Sequence, residues 1–225
     1  WMWSGMDKLV ALINLLAAPT LETVYMVMFS TLFATLLGFP IGIALVVTEK
    51  GGLVENEAIY RILDGIVNVC RSFPFIILMI VLFPFSRLIV GTTIGTTASI
   101  VPLSIGAAPF VGRVVESALK EVEKGLIEAA VSMGTNPKDI ILKVMIPEAL
   151  PSLILGETLT VINIIGYSAM AGAIGGGGLG DLAIRYGFHR FQTDVLIAAV
   201  IVIIVLVQVI QVIGNKTALY VARNR

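Results

Sequence analysis

The most suggestive chemical pattern in this sequence is a cluster of glycines. Gly175, Gly177 and Gly180 satisfy the spacing G-x-G-x-x-G, which in nucleotide-binding folds brings backbone amides against a pyrophosphate. That use requires a strand before the glycines, and none is predicted here, since the cluster follows a long apolar stretch. We therefore expect the run from Gly175 through Gly176 and Gly177 to Gly178 to be a flexible or sharply bent loop.

Other groups that commonly do chemistry occur singly. The sequence has one histidine, His189, and one cysteine, Cys70, whereas a metal site or a hydrolytic triad needs several such residues together. No G-x-x-x-x-G-K-[ST] segment is present, so the chain lacks the phosphate-binding loop of ATPases. We expect no catalytic residue, no metal site and no cofactor in this chain.

Among the ionisable residues within long apolar stretches, two are candidates for function. They are Glu157 and Arg71. Glu157 could form a structural ion pair with a cation such as Arg71 or Arg113, or it could take part in gating or in a transport path. The residues alone leave both roles open, and the same ambiguity applies to Arg71.

The composition identifies the kind of protein that holds these residues. Of 225 residues, 57% are hydrophobic and 13% are charged, whereas soluble domains average about 25% charged residues. The formal net charge is zero and no basic block occurs, so nothing favours binding to nucleic acid. The chain is predicted to be an all-α, polytopic membrane protein with a single domain, residues 1–225.

Several stretches are long and apolar enough to cross a bilayer, which takes about 20 residues. Lysine and arginine concentrate in the loops that face the cytosol if the N-terminus is outside and the C-terminus inside. We predict five spans and a cytosolic loop in that orientation. The spans are about 20–48, 62–86, 88–115, 149–174 and 194–215, and the loop is about 116–148.

Small residues and prolines within these spans indicate a packed bundle. Gly38 and Gly42 stand four apart, as do Gly91 and Gly95, a spacing that lets helix backbones approach closely in a membrane. Proline removes a backbone donor, so interior prolines are expected to bend or break their helices. These prolines are Pro40, Pro102 and Pro109.

The cytosolic loop contains signals for two short helices. In the first helix, Leu126, Ala129, Ala130 and Met133 recur at helical spacing. Gly134 then stands where a helix C-terminus favours a residue that can adopt positive φ. We predict a tight corner at Gly134.

A second helix is expected directly after this corner. Asn136 can cap it, Pro137 fits its first position, and Asp139 lies near its positive end. We expect Pro147 to stop it. A unit too short to span must bury its apolar side, and this loop has no aromatic residue for resting on lipid, so a socket on a partner protein is predicted. The apolar side carries Ile140, Ile141, Val144 and Met145.

The loop resembles the EAA loop of ABC importer permeases, in which EAA, Gly and a terminal I-x-L-P recur at this spacing. Three further runs resemble the permease subunits of methionine importers, namely Asn68 to Pro84, Thr96 to Leu119 and Gly166 to Phe188. The resemblance covers most of the chain. The matching loop residues are Glu128, Ala129, Ala130, Gly134, Val144, Ile146 and Pro147, with Val144 and Ile146 as conservative departures.

The resemblance implies a type I ABC importer permease fold and a role for the matched loop. The loop would form the coupling helices that dock into a cytosolic ATPase. The glycines 175–178 would form an outer gate loop beneath a substrate-delivering protein. The implied coupling residues are Glu128, Ala129, Ala130, Gly134, Asn136, Pro137 and Pro147.

The resemblance also implies the partners and the cargo. The chain would form a homodimer with two ABC ATPase subunits and an extracytoplasmic methionine-binding protein or lipoprotein, in a bacterial cytoplasmic membrane. It would import methionine, in both the L and D forms, by alternating access. Candidates for the path are Asn163, Tyr167 and Met170, because a thioether favours a polarizable sulfur and an aromatic edge; packing in the core or against lipid is the alternative.

Two other classes of membrane protein fit the sequence less well. An ion-gradient-driven secondary transporter could use intramembrane acids such as Glu157 and Asp64, but such proteins usually contain internal repeats, and no convincing repeat is present. A membrane-embedded enzyme would need clustered catalytic groups, which one histidine and one cysteine do not provide.

Overall fold

The computed structural model describes residues 5–223, and this part of the chain consists of helices joined by turns, with no strand. The all-α prediction is confirmed. π-Helical segments occur at Ile140–Met145 and Ala183–Phe188. The α-helices are α1 Gly5–Thr48, α2 Glu57–Ser72, α3 Phe75–Val90, α4 Thr96–Lys120, α5 Lys124–Ser132, α6 Pro137–Asp139, α7 Ile146–Ala173, α8 Gly178–Leu182 and α9 Thr193–Arg223.

Within residues 5–223, four helical stretches are each long and apolar enough to cross a membrane. Helices α2 and α3 meet the criterion only as a pair, which brings the total to the predicted five if the pair is one span. The third predicted span begins later than expected, because residues 88–90 still belong to α3. The four stretches are Val10–Thr48, Thr96–Lys120, Pro137–Ala173 and Thr193–Arg223.

The second predicted span is a pair of helices bent by 109°. The break follows from Pro74, because a proline restricts the residue before it to extended conformations. Phe73 has φ −71° and ψ 132° and ends α2. The predicted span over 62–86 thus corresponds to two helices, and their assignment as one span stays a prediction.

The interior prolines do not interrupt their helices. Helix α1 runs through Pro40, and α4 runs through Pro102 and Pro109. Membrane helices tolerate such prolines where neighbouring groups satisfy the freed carbonyls. Of the two predicted alternatives, breakage does not occur at these prolines, and a bend stays a prediction.

The chain forms two compact units, each built from parts of several helices. Because α1, α4, α7 and α9 each contribute a segment to both units, the single-domain assignment stays a prediction. The first unit contains α1 as far as Leu32, Pro74–Ser104 and Val161–Ile210, and the second contains Phe33–Phe73, Ile105–Thr160 and the chain from Gln211.

In the second unit, α1 packs on α4 with almost no side chain between the backbones. A Cβ placed on Gly38 would lie 2.5 Å from the carbonyl oxygen of Ala108, and one on Gly42 would lie 2.6 Å from that of Gly112. These distances are shorter than real Cβ contacts. The predicted close packing at Gly38 and Gly42 is confirmed.

Two further glycines set helix spacing in the same unit. Gly156 of α7 receives Val114 of α4, and a Cβ on Gly156 would lie 2.1 Å from Val114 Cγ1. Gly214 of α9 receives Thr158 of α7, with a corresponding distance of 2.0 Å to Thr158 Oγ1. Helices α1, α4, α7 and α9 are thus joined in series through glycine contacts.

The other predicted pair, Gly91 and Gly95, does not pack helices together. A Cβ on either residue would meet nothing within 4 Å. Their φ angles are +85° and +106°, and Gly91 ends α3 in the left-handed conformation. These glycines shape the turn between α3 and α4, so the packing prediction is wrong for them.

The first unit has an apolar core that joins α1, α8 and α9. Leu179 and Ala199 are completely buried, and Leu182 is nearly so. Leu16 of α1 and Val195 of α9 complete the cluster. This core fixes the short helix α8, which follows the glycine loop, against the longer helices.

We expect Gly38→Leu to destabilise the protein, because the new side chain would overlap the α4 backbone. Overpacking of this kind typically costs about 1–3 kcal/mol. The midpoint of thermal unfolding in detergent measures the effect. The control is Gly65→Leu in α2, where a Cβ meets nothing within 4 Å; equal midpoints for the two variants would contradict the packing.

Candidate functional site

The predicted corner in the loop is a hydrogen-bonded helix ending. Helix α5 ends at Ser132, and Gly134 has φ +76°. The amide of Gly134 donates to the carbonyl of Val131 at 2.9 Å, and the amide of Thr135 donates to that of Ala130 at 3.2 Å. This pair of bonds is the Schellman motif, which favours glycine at its left-handed position. The prediction for Gly134 is confirmed.

The next helix begins with the predicted cap. Asn136 is extended, with φ −72° and ψ 152°, and its Oδ1 accepts from the amide of Asp139 at 2.9 Å. Pro137 occupies the start of the helix, where a missing amide hydrogen costs little. Asp139 also forms an ion pair with Lys143 at 2.7 Å. The corner is therefore fixed by its own local bonds.

The second helix does not stop at Pro147, contrary to the prediction. The π-helical segment Ile140–Met145 carries the chain directly into α7, and the amide of Ile146 donates to the carbonyl of Ile141. Pro147 is the second residue of α7. Pro147 therefore lies inside one continuous helical stretch, Pro137–Ala173, and not at a helix end.

Burial divides the loop into a covered side and an uncovered side. Ile140 and Met145 are buried, as predicted for the apolar side of the second helix, and Ala130 of α5 is buried as well. Large apolar side chains elsewhere in the loop are exposed, with Met133 at 77%. Such exposure in one short segment is typical of an interaction surface. The other exposed apolar residues are Leu126, Val131 and Leu142, and Glu128 and Ala129 are exposed beside them.

The glycine run after α7 was expected to be either flexible or sharply bent, and the structure shows a sharp bend. Gly175, Gly177 and Gly178 have φ between +76° and +89°. The amide of Gly176 donates to the carbonyl of Ala171 at 2.8 Å. The run is therefore folded onto the end of α7 by backbone bonds.

Two residues of α1 hold this loop, and sequence reasoning did not identify them. Glu22 Oε2 accepts from the amide of Gly178 at 2.7 Å, and Thr23 Oγ1 accepts from the amide of Leu179 at 2.9 Å. The partners are 156 residues apart in sequence. The sequence shows only that Glu22 is an acidic residue within the first predicted span, and this does not predict which residue it contacts.

The three candidates for a transport path lie along one helix, α7. Tyr167 is half-buried and stacks on Phe75 of α3, with ring centroids 4.2 Å apart and planes inclined by 8°. Asn163 is half-buried, and Met170 is 48% exposed. Residues three and four apart share a helix face, so the structure places the three candidates side by side and adds Phe75.

Glu157 is not in an ion pair with either predicted cation. Its Oε1 accepts a hydrogen bond from Thr35 Oγ1 of α1 at 2.5 Å. Arg113 instead contacts Asp64 and Glu116, and Arg71 lies exposed in the last turn of α2. Of the two roles left open for Glu157, the ion pair with Arg71 or Arg113 is wrong, because its carboxylate bonds a neutral hydroxyl instead, and a role in gating or in a transport path stays a prediction.

Comparison with known proteins places this architecture in a family. The family described as binding-protein-dependent transport system inner membrane component matches residues 34–217. A probable D-methionine transport system permease protein of Vibrio cholerae is 53% identical over 202 residues, covering 90% of both chains. The methionine import system permease protein of Bacillus subtilis is 48% identical over 171 residues, covering 76% of this chain and 77% of its own.

A solved structure agrees with these relatives. The chain superposes on a subunit from a crystal form described as an inward-facing conformation of the MetNI methionine ABC transporter. The TM-score is 0.92 and the sequence identity is 44%, covering 94% of this chain and 98% of the other. The backbone described above is therefore that of a permease subunit.

We expect Glu22→Ala to loosen the glycine loop. The substitution leaves the buried amide of Gly178 without its acceptor, which typically costs about 1–3 kcal/mol. Hydrogen exchange of residues 175–182, followed by mass spectrometry, should become faster. In the control Glu22→Gln the side-chain oxygen can still accept, so exchange should change little. Unchanged exchange in Glu22→Ala would show that the bond does not hold the loop.

Proposed function

Since this chain belongs to the family of binding-protein-dependent transport system inner membrane components, we propose that it is the permease subunit of a methionine importer driven by a separate ATPase. The observation that carries the proposal is the corner at Gly134. Its backbone is held by hydrogen bonds within the loop, yet Met133 and Leu142 remain exposed. A rigid segment with uncovered apolar side chains is suited to docking into a partner.

The docking contact comprises the corner and the side of α5 that carries Glu128 and Ala129. Both residues are exposed, while Ala130 faces the interior of the unit. Asn136 caps the second helix and Pro137 begins it, and the same helical stretch continues through Pro147 into the span. Movement of the partner is thus transmitted directly into α7, because the π-helical segment makes the connection continuous.

The transport cycle follows from this connection. The ATPase binds ATP and closes, the docked corner moves with it, and the helix bundle shifts between two packings that expose the path to opposite sides. The chain forms a homodimer in the bacterial cytoplasmic membrane, with its N-terminus outside and its C-terminus inside. A methionine-binding protein delivers cargo to the outer side, where the glycine loop 175–178 forms part of the gate.

The cargo assignment rests on the two relatives and on the aromatic and sulfur groups of α7. Both relatives are named as methionine transporters, one of them for the D form. Met170 offers an exposed, polarizable sulfur, and Tyr167 with Phe75 offers aromatic surface. Contacts between sulfur and aromatic rings favour a thioether side chain. We propose that both stereoisomers are carried.

The ion-gradient alternative gains no support from these findings. Glu157, its best candidate for an ion-coupling carboxyl, is hydrogen-bonded to Thr35. The relatives belong to importers that use a binding protein and an ATPase. Copurification distinguishes the two classes, because only the ABC importer brings an ATPase subunit with the intact chain.

We expect Gly134→Trp to abolish copurification of the ATPase and uptake of methionine. A non-glycine residue at this φ costs about 1–2 kcal/mol, and the bulky ring projects into the docking surface. Affinity purification and uptake into vesicles measure the result. Gly51→Trp is the control, since Gly51 has φ +80° and equally open surroundings but lies outside the loop. Normal uptake by stably expressed Gly134→Trp would contradict the docking assignment.

We expect Met170→Ala to slow methionine uptake by up to about tenfold, because contacts of a thioether with sulfur or aromatic groups are worth about 0.3–1.5 kcal/mol. The initial rate of labelled methionine uptake by the complete importer measures it. Met28→Ala, at an exposed methionine of α1, is the control. Unchanged kinetics for Met170→Ala would remove this residue from the path.

A further inference from the structure

Partly buried charges join α2, α4 and the turn that follows α1 in the second unit. Arg113 of α4 contacts Asp64 of α2 through Nη2, and the same nitrogen donates to Asn68 Oδ1 at 2.8 Å. Its other nitrogen, Nη1, lies 2.6 Å from Glu116 Oε2. One guanidinium therefore bonds two side chains of α2 and one of its own helix.

The charges continue to the end of α1. Lys120 Nζ lies 2.8 Å from Glu116 Oε1 and 2.6 Å from Glu49 Oε2. The side chain of Glu116 is only 6% exposed, and it lies between the two cations. The alternating series forms what we call the Arg113 network. Its members are Glu49, Asp64, Asn68, Arg113, Glu116 and Lys120.

This network differs from the surface ion pairs of the same unit. Arg61 and Glu57 form a pair within α2 whose side chains are 74% and 63% exposed. Exposed pairs of that kind hold little in place, because water screens the charges and the side chains remain mobile. The side chain of Arg113 is 19% exposed and crosses between helices. Buried charges that lose a partner are strongly disfavoured, so the network resists separation of α2 from α4.

The network lies at the base of the docking loop. Helix α4 ends at Lys120, and α5 begins at Lys124 after a short turn. Within that turn, Glu121 Oε2 accepts from Ser152 Oγ of α7 at 2.5 Å. The ends of α1 and α4 and the start of α7 are thus bonded together where the loop leaves the unit.

We propose that Arg113 is a positioning residue that ties α2 to the base of the docking loop, so that α2 moves with the loop when the ATPase closes. The inference deepens the proposed function and rests on it, since it requires the loop to be the point of coupling. A planar guanidinium can bond Asp64, Asn68 and Glu116 at once, which the single ammonium of a lysine cannot do in the same geometry. Breaking this tie should let the loop move without α2.

The test is the amount of ATP hydrolysed per methionine imported, measured in proteoliposomes with the ATPase and the binding protein present. We expect Arg113→Gln to raise this ratio by about fivefold or more, the low end of the range for coupling between sites. Arg113→Lys should recover part of the coupling through its charge. Asp64→Asn, a change of the same shape at a partly exposed residue, should raise the ratio in the same direction.

The matched control is Arg61→Gln, which removes a cation from the exposed pair on α2 and should leave the ratio unchanged. If Arg113→Gln and Asp64→Asn lower ATP hydrolysis and uptake in the same proportion, the network is only structural and the proposal is overturned. An effect of Arg61→Gln as large as that of Arg113→Gln would also overturn it. Should Arg113→Gln fail to assemble with the ATPase, Asp64→Asn alone decides between these outcomes.

Failure of the proposed function has a different signature. If the loop does not dock, the intact chain brings no ATPase with it. If methionine is the wrong cargo, the unmodified importer hydrolyses ATP but moves no methionine, and the same ratio is then measured with the amino acid that it does move. Copurification thus tests docking, uptake by the unmodified importer tests the cargo, and only the ratio in Arg113→Gln relative to unmodified protein tests the network.

Discussion

Close approach of helix backbones is the interaction on which the second unit depends. Lipid is as apolar as a helix surface, so burying leucine against leucine gives membrane helices little reason to associate. Gly38 and Gly42 remove the side chains between α1 and α4, and the backbones come within contact distance. Gly156 and Gly214 extend the same arrangement to α7 and α9. Dispersion between closely packed backbones then replaces the hydrophobic effect as the source of stability.

The docking loop is stabilised by a different principle. Its corner needs no partner, because the Schellman bonds at Gly134 and the cap at Asn136 satisfy the backbone locally. The side chains around it are therefore free to present apolar surface outward. A segment whose shape does not depend on its partner can transmit force without first being ordered, which lowers the entropic cost of docking.

Charged side chains connect the glycine-packed helices of the second unit to the docking loop. The Arg113 network joins α2, α4 and the turn after α1 beside the base of the loop, in the unit where glycine packing holds α1 on α4. A charge-assisted bond is directional, so it adds a constraint on α2 that packing alone does not supply. Glycine contacts set how near the helices lie, and the network sets which residues face one another.

The features that the sequence alone predicted correctly are those that depend on neighbours along the chain. Gly134, Asn136 and Pro137 act within one or two turns, so their types and spacing were sufficient to predict the corner. The spans followed from hydropathy, because a bilayer requires long apolar helices. The bend at Pro74 was readable in principle from the restriction that proline places on the residue before it.

Tertiary structure alone decided which distant residues meet. Two glycine pairs have the same four-residue spacing, Gly38 with Gly42 and Gly91 with Gly95. Only the first pair faces another helix. Glu157 could be matched to any nearby cation in the sequence, and the fold gave it Thr35 instead. Local spacing is set by the covalent chain, whereas partners between helices depend on how each helix is rotated and tilted, and many rotations fit the same apolar sequence.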